Sequence, residues 1–322
     1  MANCRDKVDH DIPSIDSNVH YDWSQKHEEI ITVAPGEIVN FDCRDASDGQ
    51  LKPGSTIQDF TQMTWQGHPL TGPVYIKGAT PGDVLSVEIL DINHQGYGFT
   101  YFYQSEENKG LLATEFEQPS LYMWDLTEDT AKFVDGIEVP INPFPGSIGV
   151  APGKQGHHSS TPPRNVGGNI DIKHLTVGST IHLPIEVNGG LFSLGDCHAA
   201  QGDGEVCVTA IEAPMSVTVR FDLQKNSKIT QPQFSTPGPF TTTDGSTQMY
   251  ATSGIADNLN EASQKAIISM IEYLCYEKNI TESEAYMLCS VAVDLKINQI
   301  VNKPRFTVSA YIPENIFPPH DN

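Results

Sequence analysis

The run Gly195-Asp196-Cys197-His198-Ala199-Ala200-Gln201-Gly202-Asp203-Gly204-Glu205 gathers three carboxylates, one imidazole and three glycines into eleven residues. Glycines permit positive φ and close backbone approach, so such a loop can curl and aim several side chains at one centre. Asp196 and His198, two residues apart, can both meet a divalent cation from an extended or turning backbone. A third acid is then free to move protons. On residue types alone, a polar turn between strands stays open as the plainer reading.

Other segments add to this chemistry. In Pro162-Pro163-Arg164-Asn165-Val166-Gly167-Gly168-Asn169-Ile170-Asp171-Ile172, paired glycines precede Asn169 and Asp171, as when backbone folds tightly around polar groups. Asp42-Cys43-Arg44-Asp45-Ala46-Ser47-Asp48-Gly49-Gln50 ends a strand-like run and offers Asp45 as its best-placed acid. His20 and Trp23, with His68, add imidazole ligands or orienting groups. The Gly/Pro-rich stretch 143–168 is long for a connector and carries His157, His158 and Arg164, and long ordered loops are often functional. Any one of these histidines alone is more simply a hydrogen-bonded structural residue; the clusters count jointly.

The elements that must position these groups are mostly strands. A turn ending in glycine, followed by apolar residues three, five and seven positions on, occurs three times. Gly36 leads to Val39, Phe41 and Cys43; Gly82 to Leu85, Val87 and Ile89; Gly178 to Ile181, Leu183 and Ile185. Period-two alternation puts each set on one face of a strand buried on one side. Val206–Ile211 and Ser216–Asp222 read as further strands. Near residue 258 the period changes, and Ala262, Ala266, Ile267, Met270, Ile271 and Leu274 form an amphipathic helical stripe. Thr281-Glu282-Ser283-Glu284 fits a capping box opening a second helix, and Arg305–Ile312 closes as a strand. The expected fold is mainly β, a sandwich or barrel-like catalytic body over residues 1–222, with an α+β C-terminal subdomain over 223–322. The helices are expected to cover one side of a sheet and take no direct part in chemistry.

Forty-one acidic against nineteen basic residues give a formal charge of −22, which repels phosphate backbones and anionic lipid. Nucleic acid and membrane are therefore not expected partners. The N-terminus has no apolar run of the ~7–15 residues a signal peptide needs, and no stretch reaches the ~18 apolar residues of a membrane span, so a soluble cytoplasmic protein is expected. Six cysteines without a close Cys-x-x-Cys pair argue against a disulfide scaffold or a thiolate zinc site.

Taken together the motifs resemble the acetamidase/formamidase family. The resemblance rests on Gly195-Asp196-x-His198-x-x-Gln201-Gly202-Asp203-Gly204-Glu205, on Pro162-Pro163-Arg164 and Gly167-Gly168-Asn169-x-Asp171-Ile172-Lys173, and on the run Leu70–Leu85. The C-terminal stretches Glu284–Asp294 and Ile312–Phe317 match as well, so it spans nearly the whole chain. It implies a predominantly β fold with a helical addition, self-association as a homodimer or higher oligomer, bound divalent metal, and hydrolysis of a short aliphatic amide, of formamide or acetamide type, to carboxylate and ammonia.

On that reading Asp196, His198 and Asp45 hold the metal, zinc in the first place and calcium as the alternative, and bring the pKa of a bound water towards about 7. Asp171 is a further ligand or orients one. Glu205 is the general base and then the acid that protonates ammonia; Asn169 and the backbone N–H groups around Gly167-Gly168 are candidate oxyanion donors. Two rivals stay in view. One is a thiol amidase built on Cys197 and His198, although neighbours on a strand point to opposite faces. The other is a non-catalytic calcium- or ligand-binding module, whose metal would take only oxygen ligands.

Overall fold

Three glycine-led turns open three strands of one sheet in the computed structural model, which describes residues 7–103, 118–133, 138–205, 207–226, 229–237, 248–280, 285, 293–314 and 317. At each turn the residue after the glycine donates to the carbonyl three back: Glu37 to Ala34, Asp83 to Thr80, Ser179 to Thr176. Gly36, Gly82 and Gly178 have φ of 95°, 93° and 86°. That is type II geometry, whose third position needs positive φ and so takes glycine. The strands that follow, Ile38–Cys43, Val84–His94 and Thr180–Pro184, bury the expected apolar faces.

These strands belong to a nine-stranded sheet. Its order is His10–Ile12, Ile38–Cys43, Met215–Gln224, Val84–His94, Thr180–Pro184, Gln233–Thr236, Met249–Ala256, Phe306–Pro313 and Asp294–Gln299. The sheet runs on without a break from strands before residue 222 to strands after it. A second sheet pairs Gly167–Asn169, Phe144–Gly149, Phe192–His198, Leu70–Ile76 and Val19–His20 in that order, with Ile31–Val33 parallel to Leu70–Ile76. One apolar core lies between the two sheets. Phe192 of the smaller sheet meets Phe221 and Phe41 of the larger at ring distances of 5.0 and 5.8 Å. Mutual burial of two sheet faces drives this sandwich.

The helical stripe forms Leu259–Lys278, which buries Ala262, Ala266, Met270 and Leu274 against Met249–Ala256 and Phe306–Pro313. The Asn258 side chain caps it by accepting from Glu261 N, and Asn279 ends it at φ 54°. The capping box at Thr281–Glu284 lies outside the described residues, as does Val206. The strand expected over 206–211 is not formed by residues 207–211. Glu205 and Val208 adopt φ of 48° and 95°, which turns the chain out of any ladder. Among the described residues, no helix is long and apolar enough to cross a membrane.

Candidate active site

Phe192–His198, a central strand of the smaller sheet, delivers Asp196 and His198 to one end of the sandwich. Beside it Gly167–Asn169 pairs with Phe144–Gly149, and the chain turns at once through Asp171. The loop after His198 curls back to bring in Glu205. Asp171, Asp196 and Glu205 have φ of 49°, 52° and 48°, a region that costs a non-glycine residue roughly 1–3 kcal/mol. Three site acids thus carry strained backbone, each turned away from the direction a regular strand would give. Gly146 makes the approach possible: a Cβ there would sit 2.7 Å from His198 Cε1 and 2.8 Å from Asp171 Oδ1.

The result is two groups of converging ligand atoms that share one imidazole, Asp171–His198–Glu205 and Asp196–His198–Glu212, all buried. His198 Nε2 lies 3.2 Å from Glu212 Oε2 and 3.7 Å from Asp196 Oδ1. Its other nitrogen, Nδ1, is 2.9 Å from Gln201 Oε1. Gln201 Nε2 donates to the carbonyls of Asp171, at 3.0 Å, and Asn298, at 3.3 Å, so its oxygen must accept from His198 Nδ1–H. A neutral His198 therefore points its Nε2 lone pair at carboxylates. Lone pair and carboxylates repel unless a proton or a cation lies between them.

The electrostatics carry the same signature. Burial, reinforced by Asp196 and Glu212, pushes the Asp171 carboxyl up to about 8, although His198 opposes it. Burial likewise lifts Glu212 to about 7, and burial together with Asp171 lifts Glu205 well above its ordinary value. Burial alone would raise Asp196 too, but His68 and His198 hold it below the usual carboxylate range. For His198 burial works downward, and Glu212 and Asp196 overcome it to push the imidazole well above 6.5. Four carboxylates thus compete for the positive charge of His198, because burial lowers the pKa of the other imidazole beside them, His68.

Asp171 Oδ1, Glu205 Oε2 and Glu212 Oε2 are buried without a hydrogen-bond partner. Such atoms cost roughly 1–3 kcal/mol each when nothing compensates them. Oxygens without donors, an oriented imidazole and a cradle that a single Cβ would fill are together what a divalent cation would need. The residues present fit such an ion. Asp171 Oδ2 is meanwhile held by Asn302 Nδ2, and Asp196 Oδ2 accepts from Ser147 Oγ at 3.3 Å.

Of the residues singled out in the sequence, the centre brings together Asp171, Asp196, His198 and Glu205. Asn169 lines the adjoining cavity, with Oδ1 accepting from Ser147 Oγ and Nδ2 donating to Thr161 O, both at 3.1 Å. Asp45 is buried elsewhere in use. Its Oδ1 takes the Ser47 hydroxyl and the backbone N–H groups of Ser47 and Gly49, and it belongs to neither converging group, although neighbouring Ala46 lines the cavity. Cys197 faces the opposite way to His198, into the apolar core beside Cys43, where that thiol and burial push its pKa well up. A thiol held protonated in the core is no nucleophile.

Glu212, Gln201 and Asn302 were not given roles from the sequence, whereas His68 was offered there as an imidazole ligand or orienting group. Glu212 arrives because Ala199 and Ala200 pair with Ile211, and His198 with Glu212, at the mouth of the loop. No local motif marks it. Asn302 reaches the cavity from the C-terminal part of the chain. His68, in contact with Trp65 edge-on at 4.8 Å, sits 3.7 Å from Asp196 Oδ2.

Relatives agree with the fold. The sequence profile of the Acetamidase/Formamidase family matches residues 7–161 and 155–319. A formamidase of Methylophilus methylotrophus is 27% identical over 94% of this chain and 90% of its own length. Among solved structures, an acetamidase from Bacillus halodurans is 29% identical with a TM-score of 0.82, covering 95% of this chain and 98% of that one. A predicted acetamidase/formamidase from Thermoanaerobacter tengcongensis is 26% identical with a TM-score of 0.85, over 95% and 96%. A β sandwich with a buried carboxylate–imidazole centre is thus the setting of a hydrolase. The chain belongs to the acetamidase/formamidase family and is an amidase, acting on the carbon–nitrogen bond of linear amides.

Proposed function

We propose that this centre hydrolyses a short aliphatic amide of formamide or acetamide size, with a divalent cation, zinc before calcium, held by His198 and the carboxylates around it. The observation that carries the reading is the His198 ring: Gln201 occupies Nδ1–H, so Nε2 is turned as a ligand towards acids that lack donors. An imidazole in the donor set favours zinc over an oxygen-only calcium site. When bound, such an ion supplies Lewis acidity, which makes water a competent nucleophile near neutral pH.

The chain's own residues supply the rest. Ala46, Trp65, Tyr101, Val208 and Thr209 wall a small cavity that suits a compact, uncharged substrate. Glu205, its carboxyl lifted by burial and by Asp171, is placed to take up a proton and pass it to the departing nitrogen. Asn169 Nδ2, already aimed by Thr161 O, has a second N–H with which to steady the amide oxygen as it gains charge. Asp196 stays ionised and Gln201 keeps the ring in register. A homodimer or larger assembly fits the exposed Leu295 and Ile297 of the edge strand, and free thiols at Cys43, Cys197, Cys207 and Cys275 fit the reducing cytoplasm.

Glu205→Gln tests the central step. It keeps the shape and removes the titrating group, so metal content is expected to stay while kcat for ammonia release falls about 10²–10⁴-fold with KM little changed. An unaltered kcat removes Glu205 from proton transfer; loss of metal makes it a ligand.

A further inference from the structure

A second convergence of imidazole and carboxylate lies at the surface, away from the hydrolytic centre. Asp22, His27 and His157 each bring one ligand atom to within 4.8 Å of the others. Asp22 Oδ1 is 2.8 Å from His27 Nε2, and Asp22 Oδ2 is 3.0 Å from His157 Nδ1. The backbone fixes this arrangement. Asp22–Trp23 pairs antiparallel with His158–Ser159, and side chains tie the two segments further: Ser24 Oγ donates to Gly156 O at 2.8 Å and Gln25 Nε2 to Gly153 O at 3.1 Å. The His27 ring stacks at 4.4 Å on His20, which is itself held by Asp22 O and Ser193 Oγ.

We propose that Asp22, His27 and His157 form a second metal site, specific for a divalent ion of zinc type, that fastens the N-terminal segment to the loop forming one wall of the active cavity. Two imidazoles and one carboxylate suit zinc, nickel or copper and offer too few oxygens for calcium or magnesium. Tetrahedral ligands at about 2.0–2.1 Å from zinc lie on the order of 3.3 Å apart. Asp22 Oδ1, at 2.8 Å from His27 Nε2 and 3.2 Å from His157 Nδ1, is within tenths of an ångström of that spacing, and the two imidazole nitrogens, within 4.8 Å of each other, would draw together on the ion. The His157 side chain is 58% exposed, which leaves solvent access for entry of the ion and a water as fourth ligand. The wall follows directly along the chain. Ser160 Oγ accepts from His68 N at 2.7 Å, and Thr161 lines the cavity. A cation held by Asp22, His27 and His157 therefore clamps the loop three residues before Ser160, which positions His68.

The test uses the full chain, stripped with a chelator and equilibrated at a fixed free zinc concentration, with zinc counted by elemental analysis. Any zinc in the hydrolytic centre is present in every variant, so the difference isolates the surface site. His157→Gln and His27→Gln are each expected to hold one equivalent fewer than wild type, and to lose part of the zinc-dependent rise in thermal midpoint, while unfolding like wild type in chelator. The exposed position of His157 makes its variant safe to fold. Equal zinc content in wild type and both variants overturns the proposal, and the trio is then a His–Asp–His hydrogen-bond chain only.

Discussion

The three glycine-led strands and the carboxylate centre both use left-handed backbone, and they use it differently. In the strands, positive φ falls on Gly36, Gly82 and Gly178, and the side chains that follow are apolar and buried in one core. At the centre it falls on Asp171, Asp196 and Glu205, whose buried oxygens include some with no partner. Sequence, backbone and burial agree in the first region and conflict in the second. The first is stable through what it buries; the second persists because the surrounding sandwich over-determines it, and its buried oxygens are satisfied by protons or, on the proposed reading, by a cation.

The comparison breaks most visibly at the centre. On the proposed reading, in which both are ligands, Asp196→Ala and His198→Ala are each expected to lower ammonia release by more than about 10³-fold and to lose metal. Circular dichroism should be unchanged, since neither side chain supports the apolar core. Full metal occupancy in both variants would remove them from the donor set. The strand region should answer in the opposite currency. Phe221 is fully buried against Phe192 and Phe41, so Phe221→Ala should cost about 3–5 kcal/mol in denaturant unfolding. The folded fraction should keep its kcat. A cost below about 1 kcal/mol would mean the two sheets do not share the core described here.

This contrast also explains what could be read in the sequence. The Gly-led strands, the helix at Leu259–Lys278 and the final strand were legible because period, turn chemistry and burial all follow from neighbouring residues. Asp171, Asp196, His198 and Glu205 were legible because two glycine-rich clusters carry them. Glu212 and Asn302 were not, since each joins the centre through long-range pairing and neither stands in a run of unusual composition. The strand expected through residues 206–211 failed for a related reason. Apolar alternation there is real, but the loop must turn at Glu205 and Val208 to seat its acid, and the site overrides the pattern.

A smaller effect separates strain from chemistry. Gly82 has open space around a would-be Cβ, so Gly82→Ala meets only its φ of 93° and should cost about 1–2 kcal/mol with kcat untouched. Asp196→Gly is the converse substitution, relieving the backbone while removing the proposed ligand. It should be inactive yet more stable than Asp196→Ala by about 1 kcal/mol when both are compared free of metal. If the alanine variant proves equally stable, the left-handed backbone at Asp196 carries no strain.

The smallest effect lies on the larger sheet, where a buried polar group is fully partnered. Ser86 Oγ accepts from Gln224 Nε2 at 3.0 Å and has its own proton to give to an unprotonated His182 Nδ1 at 2.9 Å. That bond requires the imidazole nitrogen to be unprotonated, and burial lowers the His182 pKa to about 4. Between that value and the ordinary 6.5, the unfolded chain binds the proton and the folded chain does not. Stability therefore rises with pH through this window and is lost as pH falls from about 6.5 towards 4. His20, lowered to about 4 by burial and His27, acts in the same direction. His182→Gln retains an acceptor for Ser86 and cannot titrate. Its loss of unfolding free energy between about pH 7.5 and 5.5 should be smaller than that of wild type by about 1 kcal/mol. Parallel curves would show that His182 titrates as freely in the fold as in the unfolded chain, and full partnering would then not be what distinguishes the sheet's polar groups from those of the centre.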